Sequence, residues 1–175
     1  ARVRVIHASA DAPNVNVLAG TSALVSNLAF KAATPFQNVA PGVATVRVNG
    51  ILPSSTPTVI GPVNLPFESN IAYSILALGD VAAIRPLVIT ESVAPVAAGS
   101  VRARVVHAAA AAPQVDVYVT APTALLAQSV NLARLAFGEQ SGQASVPGGD
   151  YRIRVTAAND PTAIVFDSGT VALPA

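Results

Sequence analysis

The sequence predicts an all-β protein made of two tandem immunoglobulin-like antiparallel β-sandwich domains, of which the second lacks about one C-terminal hairpin. Short apolar runs alternate with arginine at period two, which is typical of half-buried strands. The 14 prolines and 11 glycines fall between these runs and exclude long helices. The opening stretch ARVRVIHASADAPNVNV returns 100 residues later as VRARVVHAAAAAPQVDV, which indicates an internal repeat.

Four segments with alternating arginine mark predicted strands, two in each copy of the repeat: residues 2–5, 45–48, 102–105 and 152–155. Later segments of the two copies correspond at offsets of 107 and 108: residues 28–30 with 135–137, and 63–66 with 171–174. The drift in offset is what insertions in surface loops produce. Each copy is therefore expected to form a small sandwich of short strands.

The alignment assigns residues 1–92 to the first repeat, 93–100 to a short linker and 101–175 to the second repeat. After Leu65 the first copy continues with PFESNIAYSILALGDVAAIRPLVITES, which predicts two more strands, whereas the second copy ends two residues after Leu173. Missing strands leave unpaired edges and an uncovered core face, which natural proteins avoid. We expect the first domain, a neighbouring subunit or residues beyond this sequence to cover that face. The alternative is that the second copy closes with fewer strands.

Composition excludes several classes of function. Of the 175 residues 52% are hydrophobic and 11% charged, and the net charge of +1 is spread along the chain, which excludes nucleic-acid binding. No apolar run reaches the roughly 18 to 20 residues of a membrane helix. Cysteine is absent, which excludes disulfides and thiolate chemistry. The chain starts with alanine rather than methionine, so we expect a mature extracellular or cell-surface protein after signal-peptide removal.

The repeated opening segment contains the residues that could form a chemical site, and the second copy keeps only part of them: His7, Ser9, Asp11 and Pro13, then His107, Pro113 and Asp116. The segments VRVIHASADAPNVNV and ARVVHAAAAAPQVDVYV resemble DUF4397, a bacterial family whose opening reads His-x-Ser-Pro-Asp-Ala-Pro-x-Val-Asp-Val-Tyr. The resemblance covers both copies. It implies a secreted or envelope-attached β-sandwich module, often in tandem, with no established activity.

Strand parity favours a structural role for this motif. If the arginines of the first strand face solvent, His7 faces the core, and the same holds for His107. A histidine at the inner end of a strand is typically neutral and bonds through its ring nitrogens to the following loop. Ser9 and Asp11 are then expected to satisfy backbone amides in the Ala-Pro turn. The alternative is a metal or hydrolytic site at His7 and Asp11.

Seven arginines share outward parity on the predicted strands and form a possible docking face between domains or subunits: Arg2, Arg4, Arg47, Arg102, Arg104, Arg152 and Arg154. The alternative is a solvated face whose charge prevents edge pairing. If the first two strands of each copy pair, Arg104 lies near Asp116. Its counterpart Arg4 then faces Asn16 and needs another partner.

These features predict a non-enzymatic structural protein without a cofactor, namely a self-associating subunit (a homo-oligomer or polymer) of a cell-surface array or filament. The alternative is a cell-envelope binding or adhesion module for carbohydrate or another ligand, with Tyr118 or Tyr151 as contact residues. Carbohydrate sites typically expose aromatic side chains. A chain with eight Phe and Tyr and no Trp therefore favours the structural function.

Overall fold

The computed structural model describes residues 1–174, and the chain divides into two compact units, Ala1–Ala94 and Pro95–Ala175. The division falls within the stretch expected to be a linker. Strands fill most of both units, as the period-two alternation predicts. The helices of the described residues are single 3-10 turns, Val81–Ala83 and Leu126–Gln128, and neither has the length or apolar character needed to cross a membrane.

Eight strands form the first unit: β1 (Arg2–Ala8), β2 (Val15–Ala19), β3 (Ser22–Leu28), β4 (Gln37–Asn38), β5 (Gly42–Gly50), β6 (Thr58–Phe67), β7 (Ile71–Leu78) and β8 (Arg85–Ser92). They make two four-stranded sheets, in the orders β4-β1-β7-β8 and β3-β2-β5-β6. Because the first two strands lie in different sheets, they do not pair with each other. The chain instead passes from one layer of the sandwich to the other after β1.

The core of the first unit lies between its two sheets and confirms the predicted parity of the first strand. Val3, Val5 and His7 are 1%, 2% and 0% exposed, whereas the arginines between them are not buried. Valines of β2 and β5 and the inward residues of β7 complete the apolar cluster. Since each fully buried valine contributes about 1.5 to 3 kcal/mol, this alternating face supplies much of the stabilising burial.

One pair of strands departs from the predicted antiparallel pattern. β1 and β7 run parallel over seven consecutive residue pairs, from Arg2 with Ala72 to Ala8 with Leu78. The neighbouring pairs of this sheet, β1 with β4 and β7 with β8, are antiparallel. The long connection explains the difference, because β7 joins β1 only after the chain has formed the other sheet and no short hairpin forces it to reverse direction.

Six strands form the second unit: β9 (Ser100–Ala103), β10 (Val115–Thr120), β11 (Ala133–Leu135), β12 (Ala144–Pro147), β13 (Gly149–Ala157) and β14 (Asp160–Leu173). One sheet, in the order β11-β10-β13-β14, matches β3-β2-β5-β6 of the first unit. The other contains β12 and β9, in the places of β4 and β1. Up to residue 174 no strand takes the places of β7 and β8, so the predicted lack of a hairpin is confirmed.

The missing hairpin changes the burial of the residues that would face it. Val105 aligns with Val5 but is only half-buried. On the opposite sheet, Phe166 of β14 holds the register position that Ile60 holds in β6, yet Phe166 is 54% exposed and Ile60 is 6% exposed. The segment after β9 and the four-stranded sheet therefore both present apolar side chains whose counterparts the first unit buries.

A matched pair of substitutions tests this difference in burial. We expect Val5→Ala to lower the unfolding free energy of the first unit by about 2 kcal/mol, because it leaves a cavity in a closed core. Val105→Ala should cost the second unit under about 1 kcal/mol, because its side chain is already half exposed. Amide hydrogen exchange in dilute solution resolves the two units. If the two substitutions lowered the unfolding free energy of their units equally, Val105 would be covered in solution.

Candidate functional site

The repeated histidine is a buried structural residue. His7 is 0% exposed, and its ring lies between two backbone groups of the following loop. The Ser9 N–H donates to Nδ1 over 3.3 Å, and Nε2 lies 3.0 Å from the Pro13 carbonyl oxygen. A backbone N–H can only donate and a carbonyl can only accept. The two contacts therefore fix the tautomer with its proton on Nε2.

The second unit repeats this arrangement. The Ala109 N–H donates to His107 Nδ1 at 3.3 Å, and His107 Nε2 lies 3.0 Å from the Pro113 carbonyl. Each histidine also meets a phenylalanine ring edge-on, Phe30 or Phe137, at 6.2 or 6.4 Å between ring centres. Because both ring nitrogens are engaged with the backbone, neither histidine offers a free lone pair to a metal or substrate.

Ser9 and Asp11 have a different role from the one expected of them. The Ser9 hydroxyl donates to the Gly79 carbonyl, and the Asp11 carboxylate accepts the Val81 N–H at 2.8 Å. Both partners lie in the turn between β7 and β8, 70 residues away in sequence. The prediction that these side chains serve their own Ala-Pro turn is therefore wrong. They fasten the hairpin turn to the first loop.

This role explains why the second copy lacks both polar side chains. Alanine stands at positions 109 and 111, where the first copy has Ser9 and Asp11. The turn that they would bind belongs to the hairpin that the described second unit does not have. Within the described residues, the serine and the aspartate thus occur only in the unit whose β7–β8 turn they bind.

Where β7 would lie, the second unit has a cavity of about 310 Å³, open on one side. We call it the open groove. It is lined mainly by apolar side chains of the segment after β9 and of the sheet β11-β10-β13-β14, among them Val105, Val115, Val117, Leu135, Val155 and Phe166. The neighbouring Val165 also lines it and is 64% exposed. An open apolar groove of this kind offers a surface against which apolar groups are favourably buried. The open groove is therefore the candidate functional site.

The loop motif and the sandwich around it can now be compared with known proteins. A family model for a domain of unknown function, DUF4397, matches residues 1–118. The chain belongs to the DUF4397 family. The match covers the first unit and continues through the histidine loop of the second into β10. Among curated proteins none matches this DUF4397 chain.

In the part of this DUF4397 chain that the structure describes, no three His, Asp or Glu side chains come together as metal ligands do. The carboxylate with the most partners is Asp116, which is 2% exposed. Arg134 binds it through two parallel hydrogen bonds of 2.7 and 3.0 Å, and the Asn159 N–H adds a third at 2.9 Å. The Arg134 hydrogen bond, the largest influence, lowers the pKa of Asp116 from 3.8 to about 2 against the opposing effect of burial.

This geometry corrects the expected pairing of Arg104 with Asp116. Asp116 lies in β10, whereas Arg104 directly follows β9 of the other sheet and donates to Gln140 at 2.6 Å. Arg134 was not singled out in the sequence, although the repeat carries a signal for it. At the matching positions the first unit has Asn16 and Asn27, and the Asn16 side chain accepts the backbone N–H of Asn27 at 2.9 Å, so both members of the pair differ between the copies.

In the first unit two arginines of the predicted docking face lie against a single aromatic ring. The guanidinium carbons of Arg2 and Arg4 are 5.3 and 4.7 Å from the centre of Phe36, within the range of cation–π attraction. Arg4 also donates to the Ser74 hydroxyl at 2.7 Å, so its partner is in β7. Arg4 was expected to find its partner elsewhere than at Asn16, and Ser74 is such a partner.

Arg154 does not face outward. It is 5% exposed and donates to the Thr120 hydroxyl and the Ala124 carbonyl at 2.9 and 2.8 Å, so it cannot belong to a docking face. Arg47 is half-buried and donates to the Gly20 carbonyl at 3.3 Å. Both arginines lie on the side of the sheet away from the core, as their parity predicts. Neighbouring loop residues cover that side, so that Arg154 is buried and Arg47 half-buried.

The remaining arginines of the second unit are half-buried and lie on two different sheets. Arg152 pairs with Asp167 through two hydrogen bonds, of 2.9 and 2.5 Å, in the sheet of β13 and β14. Arg102 and Arg104 lie on the segment of the other sheet that includes β9. A docking role stays a prediction for the arginines other than Arg154.

Removing the Asp11 carboxylate tests whether it holds the turn between β7 and β8. We expect Asp11→Ala to speed amide exchange at Val81 about fivefold, because one hydrogen bond contributes roughly 1 kcal/mol. Asp11→Asn is the matched control, since its amide oxygen can still accept the same N–H. Exchange is measured by NMR. Equal exchange at Val81 in both variants and the parent chain would contradict the assignment.

The Asp116–Arg134 pair predicts a pH dependence. The folded-state pKa of Asp116, about 2, lies below its ordinary value of 3.8, so the folded state binds fewer protons in that interval. The stabilisation by the pair is therefore complete above about pH 4 and is lost as the pH falls towards 2. We expect Asp116→Asn to flatten the loss of stability in this window, whereas Asp150→Asn, which changes an exposed acid, should not. Urea unfolding at several pH values measures the effect.

Proposed function

We propose that this chain is a non-enzymatic extracellular structural protein: a self-associating subunit of a cell-surface array or filament, in which a neighbouring subunit covers the second unit. The open groove is the observation that carries the proposal. A half-formed sandwich exposes apolar core and an unpaired strand edge, which natural proteins cover. Coverage by a neighbouring chain turns this liability into a specific connection between subunits.

The two units contribute different properties to such an assembly. The first unit is a closed sandwich with paired inner strands and a continuous core. The second has one complete four-stranded sheet and one sheet of two strands. Its complete sheet also presents Val165 and Phe166, 64% and 54% exposed, on the side of the groove. A rigid module joined to an open one is suited to repeated head-to-tail connections, which extend without closing.

A carbohydrate-binding function has less support. Of the two tyrosines expected to contact a glycan, Tyr118 is 7% exposed and Tyr151 donates its hydroxyl to the Pro147 carbonyl at 2.9 Å. Stacking on a sugar needs an exposed ring face, which a buried tyrosine does not offer. The structural function is therefore the better supported of the two.

Self-association tests the proposal directly. We expect light scattering after size exclusion, together with negative-stain microscopy, to show species much larger than the 17.6 kDa chain. Val105→Asp, which places a charge in the open groove, should return the protein to the monomer. Val130→Asp should not, because Val130 is 87% exposed and does not line the groove. A stable monomer of the parent chain at all concentrations would refute the proposal.

A further inference from the structure

We infer that the open groove takes one extended aliphatic strand from a neighbouring polypeptide, and that this strand runs parallel to residues 101–108. The inference rests on the proposed function and deepens it, because it states the direction, register and chemistry of the contact. The internal repeat carries the argument, since the first unit shows which kind of segment fills the same place.

The two first strands have the same neighbours on one edge. His7 donates its N–H to the Ala32 carbonyl at 3.0 Å, and His107 donates to the Glu139 carbonyl at 2.9 Å. These acceptors are 107 residues apart, which is the offset of this part of the repeat. A side-chain hydroxyl likewise accepts the valine N–H two residues earlier in both units, at 3.0 Å. The hydrogen-bonding frame of β1 is therefore preserved in the second unit.

The opposite edge is where the units differ. Backbone groups along a strand point alternately to its two edges. Since His107 uses the edge next to Glu139, the N–H and C=O groups of Val106 and Ala108 point to the other edge. In the first unit β7 pairs along that edge in the parallel sense. The described residues of the second unit provide no strand there, because β9 is paired with β12 alone.

The register in the first unit gives the chemistry of the incoming strand. The inward residues of β7 belong to the buried core, and they stand beside the inward residues of β1: Tyr73 beside Val3, Ile75 beside Val5, and Ala77 beside His7. The second unit has alanine, valine and histidine at the matching positions of its own first strand. The incoming strand should therefore place a large, a branched and a small apolar residue at alternate positions, in that order.

The loop beside the groove indicates a single strand rather than a hairpin. In the first unit Ser9 and Asp11 bind the turn that leads out of β7. At the matching places the second unit has Ala109 and Ala111, which have no side-chain acceptor or donor for such a turn. A strand that continues straight past this loop needs neither group. The open groove is therefore suited to a segment that does not fold back at its end.

The test uses the full chain and a peptide with the sequence of β7, IAYSILAL, carrying two lysines at each end for solubility. The chain is refolded from urea with the peptide, and backbone amide signals of the second unit are followed by NMR. We expect saturable binding that protects the Val106 and Ala108 amides from exchange. A peptide with aspartate in place of Ile75 should bind at least roughly tenfold more weakly, because it would bury an unpaired charge.

A nitroxide spin label on the peptide determines its direction. Eight residues of strand span about 26 Å, so the two ends are well separated. A label at the peptide's N-terminus should broaden the amide signals near Val101, and a label at its C-terminus should broaden those near Ala109. The reverse pattern, or no binding at millimolar peptide, would overturn the inference. Neither reading depends on a protein variant that could fail to fold.

A restored turn site tests whether the partner is a single strand. The Ala109→Ser and Ala111→Asp double variant should bind a longer peptide, residues 71–84, roughly tenfold more tightly than the parent chain does, since two hydrogen bonds return. It should bind the β7 peptide no better than the parent chain. If the parent chain already prefers the longer peptide by tenfold, the partner is a hairpin and the inference of a single strand is wrong.

The outcomes separate this inference from the proposed function. If the peptide binds in the parallel register while the parent chain stays monomeric, the groove accepts a strand and the self-association is refuted. If the chain forms large assemblies that bound peptide does not reduce, self-association uses another surface, which refutes the proposed covering of the groove by a neighbouring subunit while the strand inference stands. Loss of assembly in proportion to bound peptide supports both.

Discussion

The parallel pairing of β7 with β1 is the contact on which the first unit depends. β1 supplies the inward valines and histidine of one sheet, and β4 pairs with only its first two residues. β7 pairs with all seven residues of β1 and adds its own inward side chains to the core. An inner strand needs partners on both edges, because its backbone groups cannot bond to water once the core closes over them. In the described second unit, the corresponding first strand has a partner on only one of its two edges.

The loop after the first strand combines two functions that the repeat separates. The histidine and the proline carbonyl stabilise the loop itself and are present in both units, with the same distances. Ser9 and Asp11 connect that loop to the turn after β7 and occur only where the turn occurs. The motif therefore combines a histidine that stabilises its own loop in both units with two polar side chains that bind the β7–β8 turn in the first unit.

Two ion pairs of the second unit lie on its four-stranded sheet rather than on the strand beside the open groove. In the second unit, ion pairs of Asp116 with Arg134 and of Arg152 with Asp167 lie on the complete sheet, and they connect β10 to β11 and β13 to β14. The open groove is instead lined mainly by apolar side chains. An apolar partner can enter the groove without stripping water from a charge, which would be costly in a dry site. The charge pattern thus favours an aliphatic strand over an acidic or basic one.

The sequence by itself determined the strands, the parity of their side chains, the two copies and the missing hairpin, because a period of two and an internal repeat are properties that neighbouring residues express. It also placed His7 and His107 in the core. Only the tertiary structure decided that β7 lies parallel to β1, that Arg134 binds Asp116, and that Ser9 and Asp11 hold a turn 70 residues away. These contacts join segments that the chain brings together by crossing between sheets, and alternation within a strand carries no information about which strand lies beside it.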